Sequence, residues 1–354
     1  MSQTDYFRPN IRSMHGYVPG EQPEGRQYLK LNANENPYPP SPRVLEAVRQ
    51  ACSPDLRLYP DAMATPLRRK IAERHGLAPE RVLVGNGSDD LLTMILRAFV
   101  GEGGAVVAPR PTYPLYDVLV AIQGGEMRWV DFPDDFSLPP GLAQPDARVT
   151  FLANPNSPSG TWIEPGRVAA LAEEVAGVLV VDEAYVDFAD SDCTPLLERF
   201  PQVIVLRSFS KSFSLAGVRI GYALASEDII AGLVKVKDSY NVNRFAVAAG
   251  VAALEDIGWM ERNAAAIRGE RRRLSSALEE MGLFVYPSRA NFVAARSSQP
   301  PAKALAAALQ EAGILIRTFA DPTLDDWMRI TLGTPEHNDR VLDQLARALG
   351  SHRP

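Results

Sequence analysis

The run SFSKSF places Lys211 between Ser210 and Ser212, with one residue separating its first serine, Ser208, from the apolar stretch VIVL at 203–206. Most lysines are solvated at the surface. This one follows a core-like run, with Ser208 and Ser210 before it and Arg219 eight residues on. An amine kept neutral by burial and neighbouring cations is a nucleophile suited to a Schiff base with an aldehyde. Asp182 closes a second apolar run, GVLVV at 177–181, and begins DEAY. A carboxylate at such a place loses solvation and needs a cation or several donors. A protonated ring nitrogen would serve. At about 4 Å and an effective dielectric near 20, that pair is worth on the order of 4 kcal/mol. Read alone, Asp182 could equally cap a loop or pair with an arginine. The third feature is GNGSDD at 85–90, after the run RVLV. Backbone N–H groups at a helix N-terminus bind phosphate, and glycine lets the ligand come close. It is not a P-loop, and the chain has no G-x-G-x-x-G fingerprint. Alone, a glycine turn before a helix is commonly structural. The fourth polar feature, NPNSPSG at 154–160, follows VTFLA at 149–153.

Four apolar runs ending in polar groups imply a sheet whose strand ends share one site. RVLV, AVVA at 105–108, VTFLA, GVLVV, VIVL and IGYALA at 220–225 are short and continuously apolar, and helical patterns separate several of them. That texture predicts parallel strands buried on both faces, an open α/β sheet. Ligands of such sheets bind beyond the carboxyl ends of the strands. SPRVLEAVRQA predicts a helix with Ser41 as cap and Pro42 in its first turn. SDDLLTMILRAF predicts one capped by Ser88, with Asp89 and Asp90 at its positive end. EPGRVAALAEEV reads as another. After about residue 250 helical patterns dominate (RGERRRLSSALEEMG, AKALAAALQEAG, NDRVLDQLARALG), interleaved with the strand candidates NFVAA, ILIRTF and WMRITLG. The expected organisation is an extended arm at 1–30 that joins a small domain, a large α/β domain at 31–250, and a small α+β domain at 251–354.

Composition narrows the function. A length of 354 residues exceeds what one core comfortably serves. The formal charge of -6 is spread without blocks, which disfavours nucleic acid and anionic membranes as partners. No apolar run reaches membrane-span length, and MSQTDYFRPN lacks the basic and apolar regions of a signal peptide. Cys52 and Cys193 are far apart, and His15, His75, His337 and His352 are scattered without an H-E-x-x-H pattern. A cytoplasmic protein without a metal is the expectation.

The helix end wants a phosphate, Asp182 a basic ring nitrogen, and Lys211 an aldehyde. Pyridoxal 5'-phosphate has all three, and its ring is an electron sink for a carbanion. NPNSPSG, DEAY and SFSKSFSLAGVRIGY, in that order and spacing, resemble the signature of the fold-type-I aminotransferases, over nearly the whole chain. GYVPGE, LKLNANENPYPPSP, LYPD at 58–61, PTYPLY at 111–116 and RITLGT at 329–334 are similar to the histidinol-phosphate aminotransferase branch.

That resemblance implies a mostly parallel central sheet flanked by helices, and a role for each matching residue. Lys211 would hold the cofactor through its aldehyde and then carry the proton between substrate and cofactor carbons. Asp182 would keep the ring nitrogen protonated, while Asn156 and Tyr185 would bond the ring oxygen. Tyr113 would stack on the ring. Gly87, Ser88, Asp89, Ser208, Ser210 and Arg219 would lie around the phosphate, Asp89 through its backbone N–H. Tyr59 would reach the phosphate in the other subunit of a homodimer. Arg329 would anchor the substrate's carboxylate or phosphate, aided by Arg317, with Tyr17 closing from the arm. The implied reaction moves an amino group between L-histidinol phosphate and 2-oxoglutarate, in histidine biosynthesis. Ser157 and Ser159 stand where asparagine and threonine are common, and Asp90 where glutamate is frequent. Aromatic aminotransferases and threonine-phosphate decarboxylase resemble the same branch. A non-catalytic sensor fused to a DNA-binding domain is the reading from another class. The acidic charge and the absence of room for a helix-turn-helix ahead of residue 30 speak against it.

Overall fold

The computed structural model describes residues 6–18, 20, 21 and 28–350. Half of GYVPGEQPEG, and the first five residues used in the signal-peptide reading, lie outside them. The start of the chain is not uniformly extended as expected. A short helix, α1 (Pro9–Ser13), lies near the N-terminus. Strand β1 (Leu29–Lys30) follows, then α2 (Pro42–Ala51) and α3 (Thr65–His75). Helix α2 starts as the sequence predicts: Ser41 Oγ accepts the N–H of Arg43 at 3.1 Å, and Pro42 fills the first turn.

The central sheet is then laid down: β2 (Val82–Gly85), α4 (Ser88–Phe99), β3 (Ala105–Arg110), α5 (Leu115–Gln123), β4 (Glu126–Asp131), β5 (Ala147–Ala153), α6 (Pro165–Glu174), β6 (Val178–Asp182), β7 (Val203–Ser208) and β8 (Gly221–Leu224). Its seven strands lie in the order β2-β8-β7-β6-β5-β3-β4. Helix α1 docks on α5, where Asn10 Nδ2 donates to the carbonyl of Ala121 at 2.8 Å. Side chains alternate across the sheet, so the apolar runs feed two cores. On β6, Leu179 and Val181 join one apolar layer and Val178 and Val180 the other. Burying each such side chain is worth about 1.5–3 kcal/mol, which explains why β6 carries no polar residue before Asp182, at its end.

Three details depart from expectation. IGYALA is not one more parallel strand, because β8 runs antiparallel to both β2 and β7. Residues 209–220 hold only a single helical turn, Ala216–Val218, and a parallel return needs a crossover of a dozen or more residues, usually with a full helix. Strand β4 was not anticipated. As the sheet's edge it is only partly buried and carries charges, so EMRWVD shows no apolar run. Ser88 is not the cap of α4. It is the first helical residue, Gly87 is the cap at φ 88°, and no side chain caps this end.

The remainder comprises α7 (Glu227–Val234), α8 (Arg244–Glu255), α9 (Ile257–Glu280), β9 (Phe284–Val285), β10 (Phe292–Arg296), α10 (Ala302–Glu311), β11 (Ile314–Leu315), β12 (Trp327–Thr331) and α11 (Pro335–Ala348). RGERRRLSSALEEMG is thus the end of a longer helix, and residue 250 falls inside α8. A second, antiparallel sheet has the order β12-β10-β9. ILIRTF is strand only at its start, where β11 pairs in parallel with β1. The N-terminal segment is stitched to both sheets of this region: Leu31 N–H donates to Leu315 O at 2.8 Å, and Leu31 O accepts the N–H of Thr331 at 3.0 Å. Among the described residues no helix is long and apolar enough to cross a membrane.

Candidate active site

Strand ends assemble the site. Asp182 is the last residue of β6 and is 5% exposed. Its Oδ2 accepts the hydroxyl of Tyr116 at 2.8 Å and its Oδ1 the N–H of Ala184 at 3.2 Å. Burial pushes its pKa up to about 6, against these two bonds and the nearby charge of Lys211. Among the described residues no cation contacts this carboxylate, which is suited to a positively charged ring nitrogen. Lys211 stands in the turn after β7, half-buried. Its Nζ lies 5.6 Å from the Tyr185 ring centroid and reaches only the Ala33 carbonyl, at 3.4 Å. Asn36 Nδ2 donates to the Lys211 carbonyl at 2.9 Å and so fixes the turn.

A cradle suited to an anion lies where β2 meets α4. The leading N–H groups of α4 have no side-chain cap. Arg219, in the left-handed region at φ 59°, donates Nη2 to Asp89 Oδ2 at 3.0 Å and Nη1 to Ser210 Oγ at 3.3 Å. The Asp89 carboxylate is thus turned to Arg219 and orients it. Tyr113 also donates to Asp89 Oδ1, at 3.4 Å. Ser208 Oγ accepts the N–H of Ser210 at 3.1 Å and shapes the Lys211 turn. Two glycines make the cradle tight. A Cβ on Gly87 would come within 2.6 Å of Arg219 Nη2, and one on Gly221 within 2.4 Å of the Ser88 backbone nitrogen.

Aromatic walls flank Asp182. Tyr113 meets Tyr116 edge-on at 5.6 Å and Tyr17 at 6.0 Å. Burial and the Asp89 charge raise the Tyr113 pKa, keeping its hydroxyl protonated. Asn156, buried, accepts from Thr112 Oγ1 at 2.8 Å and donates to Ser159 Oγ at 2.9 Å and to Pro111 O at 3.1 Å. Tyr185 Oη accepts from Asn34 Nδ2 at 2.9 Å.

On the small-sheet side, Arg329 extends from β12. Its Nη1 donates to Ser157 Oγ and its Nη2 to the Asn32 carbonyl, both at 3.0 Å, and its Nε is buried without a partner. The guanidinium packs over Phe292 at 5.2 Å. Burial, then the charge of Arg317, lowers its pKa. Arg317 pairs with Arg329 through the backbone, and its guanidinium runs past Gly20 and Asn32. Tyr59 stands apart. It is 79% exposed and stacks on Tyr240 at 4.5 Å.

Sequence reasoning missed several of these groups. Tyr116 lies inside PTYPLY, and Asn32 and Asn34 inside LNANEN, but nothing local marks which residues of those runs point inward. Ser157, noted only as a departure, is where Arg329 rests. The ensemble offers a dry carboxylate, a primary amine, an uncapped helix end with an arginine, and two guanidinium groups. It can hold a phosphorylated heteroaromatic aldehyde beside an anionic amine substrate.

Comparison with known proteins agrees with this geometry. The profile of the family "Aminotransferase class I and II" matches residues 26–347. The chain belongs to the class I and II aminotransferases. Among members of that family, it is 41% identical over 350 residues to histidinol-phosphate aminotransferase 1 of Nostoc sp., covering 98% of this chain and 99% of that one. It is also 41% identical over 348 residues to histidinol-phosphate aminotransferase of Rhodopirellula baltica, covering 98% and 96%. A solved aminotransferase structure, histidinol-phosphate aminotransferase from Sinorhizobium meliloti in complex with pyridoxal-5'-phosphate, superposes with a TM-score of 0.88 at 31% identity, covering 99% of both chains. The fold is the fold-type-I architecture of these aminotransferases.

Proposed function

We propose that the protein catalyses reversible transfer of an amino group between L-histidinol phosphate and 2-oxoglutarate, with pyridoxal 5'-phosphate as cofactor. The observation that carries the substrate reading is a pair of arginines on bridged backbone positions: Arg329, whose Nη2 donates to the Asn32 carbonyl, and Arg317, whose Nη1 lies, like the Asn32 amide, beside Gly20. A planar guanidinium grips phosphate or carboxylate in bidentate fashion, and two of them suit a dianion. Tyr17, packed against Tyr113, lies on the same side. The named relatives act on the same compound.

In this reading Arg219, Ser208, Ser210 and the N–H groups of Ser88 and Asp89 take the cofactor phosphate, with Gly87 leaving room for it. Tyr113 flanks the ring. Asp182 gains the cation its desolvated carboxylate needs and keeps the ring nitrogen protonated. Asn156 and Tyr185 donate to the ring oxygen, and the 3.1 Å bond to Pro111 is the one Asn156 would give up. Lys211 Nζ would hold the cofactor through its aldehyde carbon, with loss of water, until the substrate amine displaces it. The freed amine would then take the proton from the substrate carbon and give it to the former aldehyde carbon, a task for which its weak contact with Ala33 leaves it available. The bound cofactor supplies a ring that accepts the electron pair left behind by that proton. Arg329 and Arg317 hold the anionic end of the substrate, and Tyr17 covers it. The exposed Tyr59–Tyr240 stack supports a homodimer in which Tyr59 reaches the partner's cofactor phosphate. The arm at 1–30, the large domain at 31–250 and the small domain at 251–354 then act as three parts around one cleft, in the cytoplasm.

The test is direct. Purified protein loaded with the cofactor, given histidinol phosphate and 2-oxoglutarate, is expected to form glutamate, and Lys211→Ala to form none. No glutamate would overturn the reading, as would a strong preference for phenylalanine or tyrosine, or carbon dioxide released from threonine phosphate.

A further inference from the structure

Asn34, within LKLNANENPYPPSP, has no role in the site described above, yet its side-chain amide meets Tyr185. It is 1% exposed and sits in the left-handed region at φ 56°, a conformation asparagine tolerates better than most residues. Its backbone N–H donates to Thr331 Oγ1 at 3.0 Å, and that hydroxyl turns its own hydrogen to Asn34 Oδ1 at 3.1 Å. Asn291 Nδ2 donates to the Asn34 carbonyl at 3.0 Å. With its oxygen committed to Thr331, the amide has its NH2 left for Tyr185 Oη, at 2.9 Å. Thr331 is itself 1% exposed and tied to Leu31, so the amide cannot turn over without breaking a closed set of bonds.

A phenol has one hydrogen to give and lone pairs to accept with. Asn34 approaches as a donor, so the Tyr185 hydrogen cannot point at it and is directed elsewhere. A donor on the phenol oxygen also polarises the O–H and strengthens what it gives. The ionisable groups around that phenol are Lys211, whose Nζ lies over the ring, and Arg329, Tyr113 and Tyr116. Phe292 closes the remaining side edge-on at 5.2 Å.

We propose that Asn34 is a positioning residue that forces Tyr185 to act as a hydrogen-bond donor toward the cofactor's ring oxygen. The inference rests on the function proposed above. Its consequence is on acidity: a donor to the ring oxygen stabilises negative charge there and so lowers the pH at which the lysine–cofactor linkage loses its proton.

Two variants keep the left-handed backbone. Asn34→Gly removes the donor, and Asn34→Asp replaces it with an acceptor that captures the phenol's hydrogen. The readout is the pH midpoint of the bound cofactor's visible absorption band. Both variants are expected to raise it by roughly half to one unit, the scale of one lost hydrogen bond. Asn34→Gly is expected to add nothing in a Tyr185→Phe background. A midpoint unmoved in both variants overturns the inference, as does an equal shift from Asn34→Gly without the Tyr185 hydroxyl. A native protein with no visible band overturns the proposed function, and this inference with it. If a variant loses the cofactor, the ring-carbon (Cζ) resonance of Tyr185 in 13C-tyrosine-labelled full chain, assigned by its loss in Tyr185→Phe, decides instead. Movement of that resonance in Asn34→Gly supports the inference, and an unchanged position overturns it.

Discussion

Replacing Tyr116 with phenylalanine isolates one bond in the site. The ring is fully buried and stacks on Phe151 at 4.6 Å and 11°, and phenylalanine keeps that packing. What disappears is the hydroxyl that donates to Asp182 at 2.8 Å. Desolvation already holds Asp182 at about 6 against a reference of 3.8, so its ionised form is disfavoured by the fold. Between those values the unfolded chain has released the proton and the folded chain retains it. Stability of the cofactor-free protein from this group therefore falls as pH rises through that window, by about 3 kcal/mol at 1.36 kcal/mol per unit. A hydrogen bond to a charged group is worth about 1.5–3 kcal/mol. Its loss takes about 0.5–2 kcal/mol more from the ionised acid than from the neutral one, which raises the Asp182 pKa by about half to one and a half units and extends the fall to about pH 7.5. The expected penalty of Tyr116→Phe is about 1 kcal/mol at pH 5, where the acid is neutral, and about 1.5–3 kcal/mol above pH 8. Denaturation midpoints of both proteins at the two pH values measure it. Glu183 and other groups that titrate in this range are common to both proteins and cancel in the difference. Equal penalties at pH 5 and pH 8, or a larger one at pH 5, would refute the reasoning.

The other expectations concern backbone space and buried charge. Gly221→Ala drives a methyl into the Ser88 nitrogen and the Gly87 carbonyl carbon, 2.4 and 2.6 Å from its ideal position. It should cost about 1–3 kcal/mol as overpacking does, and weaken cofactor binding measured by absorbance titration. Unchanged affinity would show that α4 can retreat from β8 freely. Arg207→Met strands Glu183, whose side chain is 0% exposed and pairs with Arg207 at 2.8 Å. A loss of about 3–5 kcal/mol in denaturation is expected, much of it restored by adding Glu183→Gln.

Particular residues show where the sequence was readable. Asp182 and Lys211 stood out because a polar group at or just beyond the end of a doubly buried strand is costly unless something meets it, and β6 and β7 are both of that kind. Edge strand β4 was invisible because half-exposed backbone tolerates EMRWVD. The direction of β8 depended on what residues 209–220 do, and a single helical turn cannot be read from apolar periodicity. Asn34 and Tyr116 were unreadable for a stronger reason. Each acts through a partner more than sixty residues away in sequence, 151 for Asn34 and 66 for Tyr116, and only the folded chain defines those pairs. The cap assigned to Ser88 shifted by one residue because Gly87 can take φ 88° where another residue would be strained and would meet Arg219.

The strand ends also explain how an amine and a carboxylate are held in register at a place with little secondary structure. Successive side chains of an extended chain point to opposite faces. Asp182 faces the aromatic wall, so Glu183 turns the other way and meets Arg207, which precedes Ser208 on the neighbouring strand. The Glu183 backbone N–H still donates to Leu206 O at 2.9 Å, so β6 and β7 remain paired at this point. Arg207 also reaches Asp192 at 3.1 Å and Asp187 at 3.7 Å. Asp187 in turn accepts the hydroxyl of Ser212, the residue after Lys211. His75 bonds Tyr222 beside this cluster, and burial and Arg207 push its pKa down to about 3, so it adds no positive charge at neutral pH. The turn that carries Asp182 and the turn that carries Lys211 are thereby fastened to the same guanidinium from behind. A buried ion network of this kind contributes little net stability against an apolar replacement. Its physical effect is positional: moving Lys211 relative to Asp182 requires uncovering Arg207, and that requirement holds the site's geometry where the hydrogen bonds of the strands run out.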